Sequence, residues 1–179
     1  MKPKAKIMDT VAVSRALARI SHEIVERNQG LGDVILLGVK RRGLPLARML
    51  ADNMQRFWGA EVPVGELDVT ARRDDISEDE KRLKAGKSVL PCDINGKTVI
   101  VVDDVLYTGR TARAAIETVF SFGRPKQLQL VVLVDRGHRE LPLRPDYVGK
   151  NVPTSQSEKI LFDADESGSQ MNVYICDID

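Results

Sequence analysis

With 179 residues, 42% of them hydrophobic and 30% charged, the chain is long enough for one substantial core and short for more than one domain. Its 27 basic and 26 acidic residues leave a formal charge of +1, which excludes a global polyanion-attracting field, so any nucleic-acid contact must come from a local patch. Cys92 and Cys176 lack metal-ligand or redox spacing, no apolar run approaches membrane-spanning length, and the opening Met-Lys-Pro-Lys-Ala-Lys has no signal-peptide core. A reduced, cytoplasmic protein is expected.

In chain order, Asp9 or Thr10 caps a first helix running to about Asn28, with Val13, Leu17, Ile20 and Ile24 as its apolar stripe and Gly30 and Gly32 at its end. A short strand follows at Val34 to Leu37, then the loop Gly38 to Gly43 and a helix from about Leu44 to Phe57. Val62 to Val69 reads as a strand. Thr70 to Pro91 is highly charged with few large apolar residues, and reads as a mobile loop. Thr98 to Asp103 is the central strand, Thr111 to Phe122 its following helix, and Leu128 to Val134 a further buried strand. Asp135 to Ser157 reads as irregular, punctuated by prolines, before short late strands at Lys159 to Phe162 and Asn172 to Cys176. Strands alternating with helices predict an α/β fold with a parallel sheet.

The segment Val99 to Thr111 carries the most chemistry. Four apolar residues lead into Asp103 and Asp104, at the strand end where α/β sheets bind ligands. Two adjacent carboxylates are costly in a dry interior and need partners; a ribose diol supplies donors, and a nearby Mg²⁺ supplies charge. Thr108-Gly109-Arg110-Thr111 then opens a helix whose first amides suit a phosphate. The competing reading is a strand cap and turn, since Asp, Thr and Gly are common turn formers.

Gly38-Val39-Lys40-Arg41-Arg42-Gly43 brackets three cations between glycines at another strand end, as a pyrophosphate cradle or a basic surface turn. The charged stretch 70–91 is either a solvated loop or a lid that excludes water and brings cations to a leaving group. Arg15, Arg19 and His22 lie opposite the apolar stripe of the first helix, with Glu26 on the same face; singly, each reads as an ordinary surface residue. Aromatic residues make up 4% of the chain, which disfavours base stacking and favours phosphate contacts and arginine readout for any RNA bound.

The string 99–111 resembles the phosphoribosyl pyrophosphate (PRPP) signature of type I phosphoribosyltransferases. Asp135 to Pro142, Gly149 to Thr154, and the opening Arg15-Ala16-Leu17, Arg19-Ile20, His22-Glu23 and Glu26-Arg27-Asn28 resemble the PyrR family, bifunctional pyrimidine operon regulators and uracil phosphoribosyltransferases. The resemblance implies a type I phosphoribosyltransferase-like central parallel sheet flanked by helices. It implies a single domain over residues 1–179, with a flexible loop at about 70–91 and a small hood mainly within 135–160. It implies synthesis of UMP and pyrophosphate from uracil and PRPP, with Mg²⁺ carried by substrate near Asp103 and Asp104. Asp103, Asp104 and Arg73 are then catalytic. Val39, Lys40, Arg41, Arg42 and Gly43, with Val105, Leu106, Tyr107, Thr108, Gly109, Arg110 and Thr111, hold PRPP or UMP. Asp135, Arg136, Asn151, Val152, Pro153 and Thr154 face the base. Arg19, His22, Arg27, Arg139, Arg144 and Lys150 match the family's RNA face, which binds pyrimidine operon leader mRNA under control of UMP or UTP. A homodimer or higher homo-oligomer is implied. Arg72 stands where the family commonly has tyrosine, and Ala18 where threonine is usual. The alternative is a phosphoribosyltransferase of another base, purine or orotate, without RNA binding.

Overall fold

The apolar runs of the sequence become the inner strands of a parallel sheet in a computed structural model, which describes residues 2–84, 86–165 and 170–178. The elements are β1 (Lys2–Met8), α1 (Thr10–Asn28), β2 (Val34–Val39), α2 (Gly43–Trp58), β3 (Val64–Leu67), a 3₁₀ turn (Thr70–Arg72), α3 (Glu78–Lys84), β4 (Thr98–Leu106), α4 (Arg110–Phe122), β5 (Gln127–Asp135), β6 (Tyr147–Asn151), β7 (Glu158–Ala164) and β8 (Met171–Asp177). The main sheet has the order β3-β2-β4-β5-β6, with every pairing parallel.

Period-two geometry explains why β2 and β4 are apolar throughout. Val34, Leu36, Ile100 and Val102 share a core with Leu17, Ile20 and Ile24 of α1 and Leu46 and Leu50 of α2. Ile35, Leu37, Val99 and Val101 point the other way and pack with Ala114, Ala115 and Val119 of α4. Helices therefore cover both faces. Asp9 is the cap of α1, its side chain accepting from the Ala12 amide at 2.8 Å, and Gln29 closes the helix in the left-handed region.

β2 continues towards β3 on one side, while β4 continues towards β5 and β6 on the other. The strand order thus reverses between β2 and β4, whose ends lie side by side with Gly38 opposite Val102. A crevice opens outside the carboxyl ends at such a reversal.

A second, antiparallel sheet has the order β1-β8-β7. Its Phe162, Met171 and Val173 join the core built on α1. This sheet draws strands from both ends of the chain, whereas residues 135–160 supply the loop after β5, β6 and the start of β7. β1 pairs Lys2 with Asp177, a partner invisible to any local pattern. The stretch read as irregular supplies β6, a short edge strand with two large apolar residues that leans on β5. The charged stretch 70–91 contains the 3₁₀ turn and α3, stabilised by the i,i+3 pair Glu78–Lys81 and the i,i+4 pair Glu80–Lys84; residue 85 lies outside the described residues.

Candidate active site

At the end of β4, full burial gives way to Asp103, Asp104 and Val105, which are half-buried. Asp103 Oδ1 accepts from the Asp104 amide at 2.9 Å, and Asp104 Oδ1 accepts from the Val105 amide at 2.9 Å. Arg42 Nη1 stands 3.5 Å from Asp104 Oδ2. Burial is the main cause holding the Asp103 carboxyl well above the usual carboxylate range, and the neighbouring Asp104 charge adds to it; the Asp104 amide and Arg73 pull the other way. An acid in this position favours ligands that bring donors or positive charge.

Loop 38–43 reaches the carboxylates because Gly43 has no side chain: a Cβ there would lie 2.1 Å from the Val102 carbonyl oxygen. The Lys40–Arg41 peptide in this loop is cis. Lys40 Nζ donates to the Lys87 carbonyl at 2.9 Å and lies 3.7 Å from Glu66, while Arg41 and Arg42 are exposed. Opposite, Gly109 at φ 95° turns the chain into α4, and the Arg110 amide donates to Thr108 Oγ1 at 3.3 Å. Thr108 also accepts at its carbonyl from Glu140 and Leu141, at 2.9 and 3.1 Å, tying this turn to the loop after β5.

These segments converge on a cavity of about 290 Å³ lined by Val39, Lys40, Arg41, Arg42, Val69, Thr70, Arg73, Asp103, Asp104, Val105 and Thr111. A carboxylate pair, a basic loop and a helix N-terminus thus face one polar space, suited to a phosphorylated sugar carrying a second anionic group. Val69 and Thr70 were absent from the sequence-based set. Their one signal is position, directly after β3 at the same edge of the sheet. Among the described residues no three His, Cys, Asp or Glu side chains cluster as a metal site, so a divalent ion held here by Asp103 and Asp104 would take further oxygens from a ligand.

Arg73 is engaged by Asp75 through two contacts, at 2.8 and 2.5 Å, which is the main reason its guanidinium is held protonated more firmly than usual. Asp74 bridges to Arg110 Nη1 at 2.8 Å and Arg113 Nη2 at 3.5 Å, and Arg113 donates to the Arg72 carbonyl at 3.0 Å. Arg110 also holds Glu140 at 2.7 Å. The charged loop is therefore latched to α4. Asp68 joins its ends, accepting from the Thr70 amide at 3.0 Å and the Gly86 amide at 2.9 Å.

A wider cavity of about 1040 Å³ follows β5, and Asp135, Arg136, Asn151 and Pro153 are among its lining residues. Arg136 is 4% exposed. Its guanidinium lies 3.8 Å from the Tyr107 ring centroid and donates to Thr154 Oγ1 at 3.0 Å and the Glu158 carbonyl at 2.8 Å. Val152 is buried in the main core, its amide donating to the Asp135 carbonyl at 2.8 Å. Leu106 packs with Ala112 and Val132, so its side chain lies in the core.

The cations assigned to an RNA face divide. Arg19 pairs with Glu23 at 2.6 Å and donates to the Val148 and Gly149 carbonyls at 2.9 and 2.8 Å; Arg27 pairs with Asp146 at 2.8 Å; Lys150 donates to the Ile7 carbonyl at 3.2 Å. These three follow the seam between α1 and β6. Arg139 is committed internally, to Asp135 at 2.5 Å, the Tyr107 carbonyl at 2.8 Å and the Leu143 carbonyl at 3.0 Å. Arg144 lines the wider cavity, and His22 lies at the other margin of α1 against Phe57 and Trp58.

The profile of the phosphoribosyl transferase domain family matches residues 5–167. The chain is 56% identical over 158 residues to a Thermoanaerobacter protein named bifunctional protein PyrR, covering 88% of this chain and 89% of that one. It is 52% identical over 180 residues to the bifunctional protein PyrR of Bacillus cereus, covering 99% of each. Among solved structures, the hypoxanthine phosphoribosyltransferase of Trypanosoma cruzi matches with a TM-score of 0.73 at 18% identity, over 98% of this chain and 97% of that one. That last likeness concerns the fold.

Proposed function

This chain belongs to the phosphoribosyl transferase family and, within it, to the bifunctional PyrR proteins, and from that premise we propose that it makes UMP and pyrophosphate from uracil and PRPP and also binds leader RNA of pyrimidine genes under control of uridine nucleotides. The observation that carries the enzymatic half is the cavity shared by Asp103, Asp104, loop residues 39–42, Arg73 and Thr111 at the start of α4. The 2′- and 3′-hydroxyls donate to Asp103 and Asp104. The amides of Thr108 to Thr111 take the 5′-phosphate, and loop 39–43 takes the pyrophosphate. Asp103 and Asp104 would hold Mg²⁺ carried by PRPP, and the ion would supply positive charge to the leaving group.

The reaction is a displacement at the anomeric carbon. The bond to pyrophosphate oxygen breaks, uracil N1 forms the new bond, and its proton is released. No side chain forms a covalent intermediate; the protein acts by orientation and by neutralising the departing anion. Arg73 reaches that anion by exchanging Asp75 for phosphate oxygens, with residues 70–91 moving as a lid on one domain spanning 1–179. Uracil sits towards the wider cavity, where Asp135, Arg136, Asn151 and Pro153 line the wall; Val152, whose side chain lies in the core, and Thr154, whose hydroxyl accepts from Arg136, offer the base their backbone groups. The protein works in the cytoplasm as a homodimer or larger assembly.

The regulatory half rests on the family and on the seam cations Arg19, Arg27 and Lys150. A panel of uracil, hypoxanthine and orotate with PRPP and Mg²⁺, run beside filter binding to a pyrimidine leader transcript with and without UMP, tests both halves. Product from uracil alone and UMP-strengthened RNA retention are expected. Product from hypoxanthine with none from uracil overturns the assignment.

A further inference from the structure

We infer that His22, Phe57 and Trp58 form a stacking platform for unpaired bases of an RNA whose backbone follows α1, an inference that rests on the RNA half of the proposed function. The apolar stripe of α2 runs through Leu46, Leu50 and Met54, all fully buried. One turn further the same stripe continues into Phe57 and Trp58, which are 42% and 38% exposed and belong to no buried core. Their partner is the exposed ring of His22. Phe57 stacks on it with centroids 5.4 Å apart and planes 24° apart, Trp58 meets it edge-on at 4.6 Å, and Phe57 and Trp58 meet at 5.7 Å and 88°. The Arg56 guanidinium stands 5.7 Å from the Phe57 centroid. Large apolar rings left open and flanked by charge mark a binding surface better than a core.

Charge continuity selects the occupant. Arg15, Arg19, His22 and Glu26 follow one another along the exposed row of α1 at helical spacing, so the rings border the row that begins the proposed RNA face. Of the acids beside it, Glu23 is neutralised by Arg19 at 2.6 Å, leaving Glu26 as the opposing charge. Cations beside open aromatic faces suit single-stranded RNA: phosphates take the cations and any base offers a π-face to the rings. An aromatic content of 4% disfavours stacking only if the rings are dispersed, and the fold gathers two of them, with a histidine ring, at one spot.

Trp58 is the chain's one tryptophan, so its fluorescence reports this surface alone. The full chain is titrated with a pyrimidine leader hairpin, with an oligoadenylate about twelve nucleotides long, and with inorganic polyphosphate of matched charge. Both RNAs are expected to quench Trp58, and polyphosphate is not. Phe57→Ala and Trp58→Ala are expected to weaken RNA retention about tenfold while UMP synthesis, which also reports folding, stays unchanged. RNA retention that Arg19→Gln weakens but the two ring variants leave intact, without quenching, overturns the platform and leaves the RNA reading standing. Failure of both RNAs to bind under any nucleotide condition overturns the RNA reading and the platform with it. Trp58 emission that follows protein concentration, with a lower oligomeric state in Trp58→Ala and no response to RNA, overturns the platform in favour of a contact between copies of this chain.

Discussion

Asp103 and Asp104 are adjacent in sequence, yet the fold gives them different tasks. Asp104 faces Arg42 across 3.5 Å, whereas Asp103 has its acidity set first by burial and then by its neighbour's charge. Asp104→Asn keeps shape and removes charge, so UMP formation is expected to fall at least about a hundredfold while circular dichroism stays that of the parent. Asp103 supports a prediction about stability. Its folded pKa is raised above the ordinary 3.8, so its contribution is fullest below that value and is lost as pH rises through the folded pKa. Asp103→Asn removes this loss. Thermal melts are expected to show the variant gaining on the parent at neutral pH and converging with it near pH 3, and a constant difference across that range would contradict the burial argument.

The loop 70–91 shows how a charged segment acquires a resting position. Its composition describes a solvated stretch, but Asp74 holds Arg110 and Arg113, and Asp68 accepts the amides of Thr70 and Gly86. Exposed ion pairs add little to global stability and still set where a loop dwells. Asp74→Ala is expected to speed proteolytic nicking within residues 73–88 and to leave the melting temperature of the whole protein nearly unchanged. Equal nicking in both proteins would show that the latch does not hold the loop. The same latch occupies the Arg110 side chain at the start of α4, beside the amides proposed for the 5′-phosphate.

The molecule as a whole separates two surfaces. The carboxylate cavity opens at the carboxyl ends of β2 and β4, while Arg19, Arg27 and Lys150 follow the seam between α1 and the edge strand β6. Arg19 also ties that seam together through the Val148 and Gly149 carbonyls. Arg19→Gln is expected to weaken leader RNA retention, to flatten its salt dependence by a slope of about 1, and to spare UMP synthesis. Parallel loss of both activities would mean that the surfaces are not separate. Arg139 belongs to a different class: three of its nitrogens are spent on Asp135, Tyr107 and Leu143, so it shapes the loop beside the wider cavity as much as it offers charge outward.

The parallel sheet and its buried strands were legible in the residues alone, and the segments proposed for the diol and the phosphate were picked out there as well. The run 34–37 is apolar throughout, although the strand it opens extends to Val39, the run 99–102 is apolar as well, and the Asp pair stands a few positions before Thr-Gly-Arg-Thr. The Asp9 cap was legible as one of two candidates for the same reason. Tertiary structure alone decided the rest. β1 exists because β8 lies beside it, β6 because β5 offers an edge, and Thr70 lines the cavity because β3 ends where β2 and β4 end. Phe57 and Trp58 carry no signal in the sequence beyond the end of a helix, and only the packing of α1 on α2 sets His22 against them. Local periodicity records which side of an element is buried, but short edge strands, ring clusters and cavity walls draw their energy from neighbours far along the chain, and only the packed molecule specifies those neighbours.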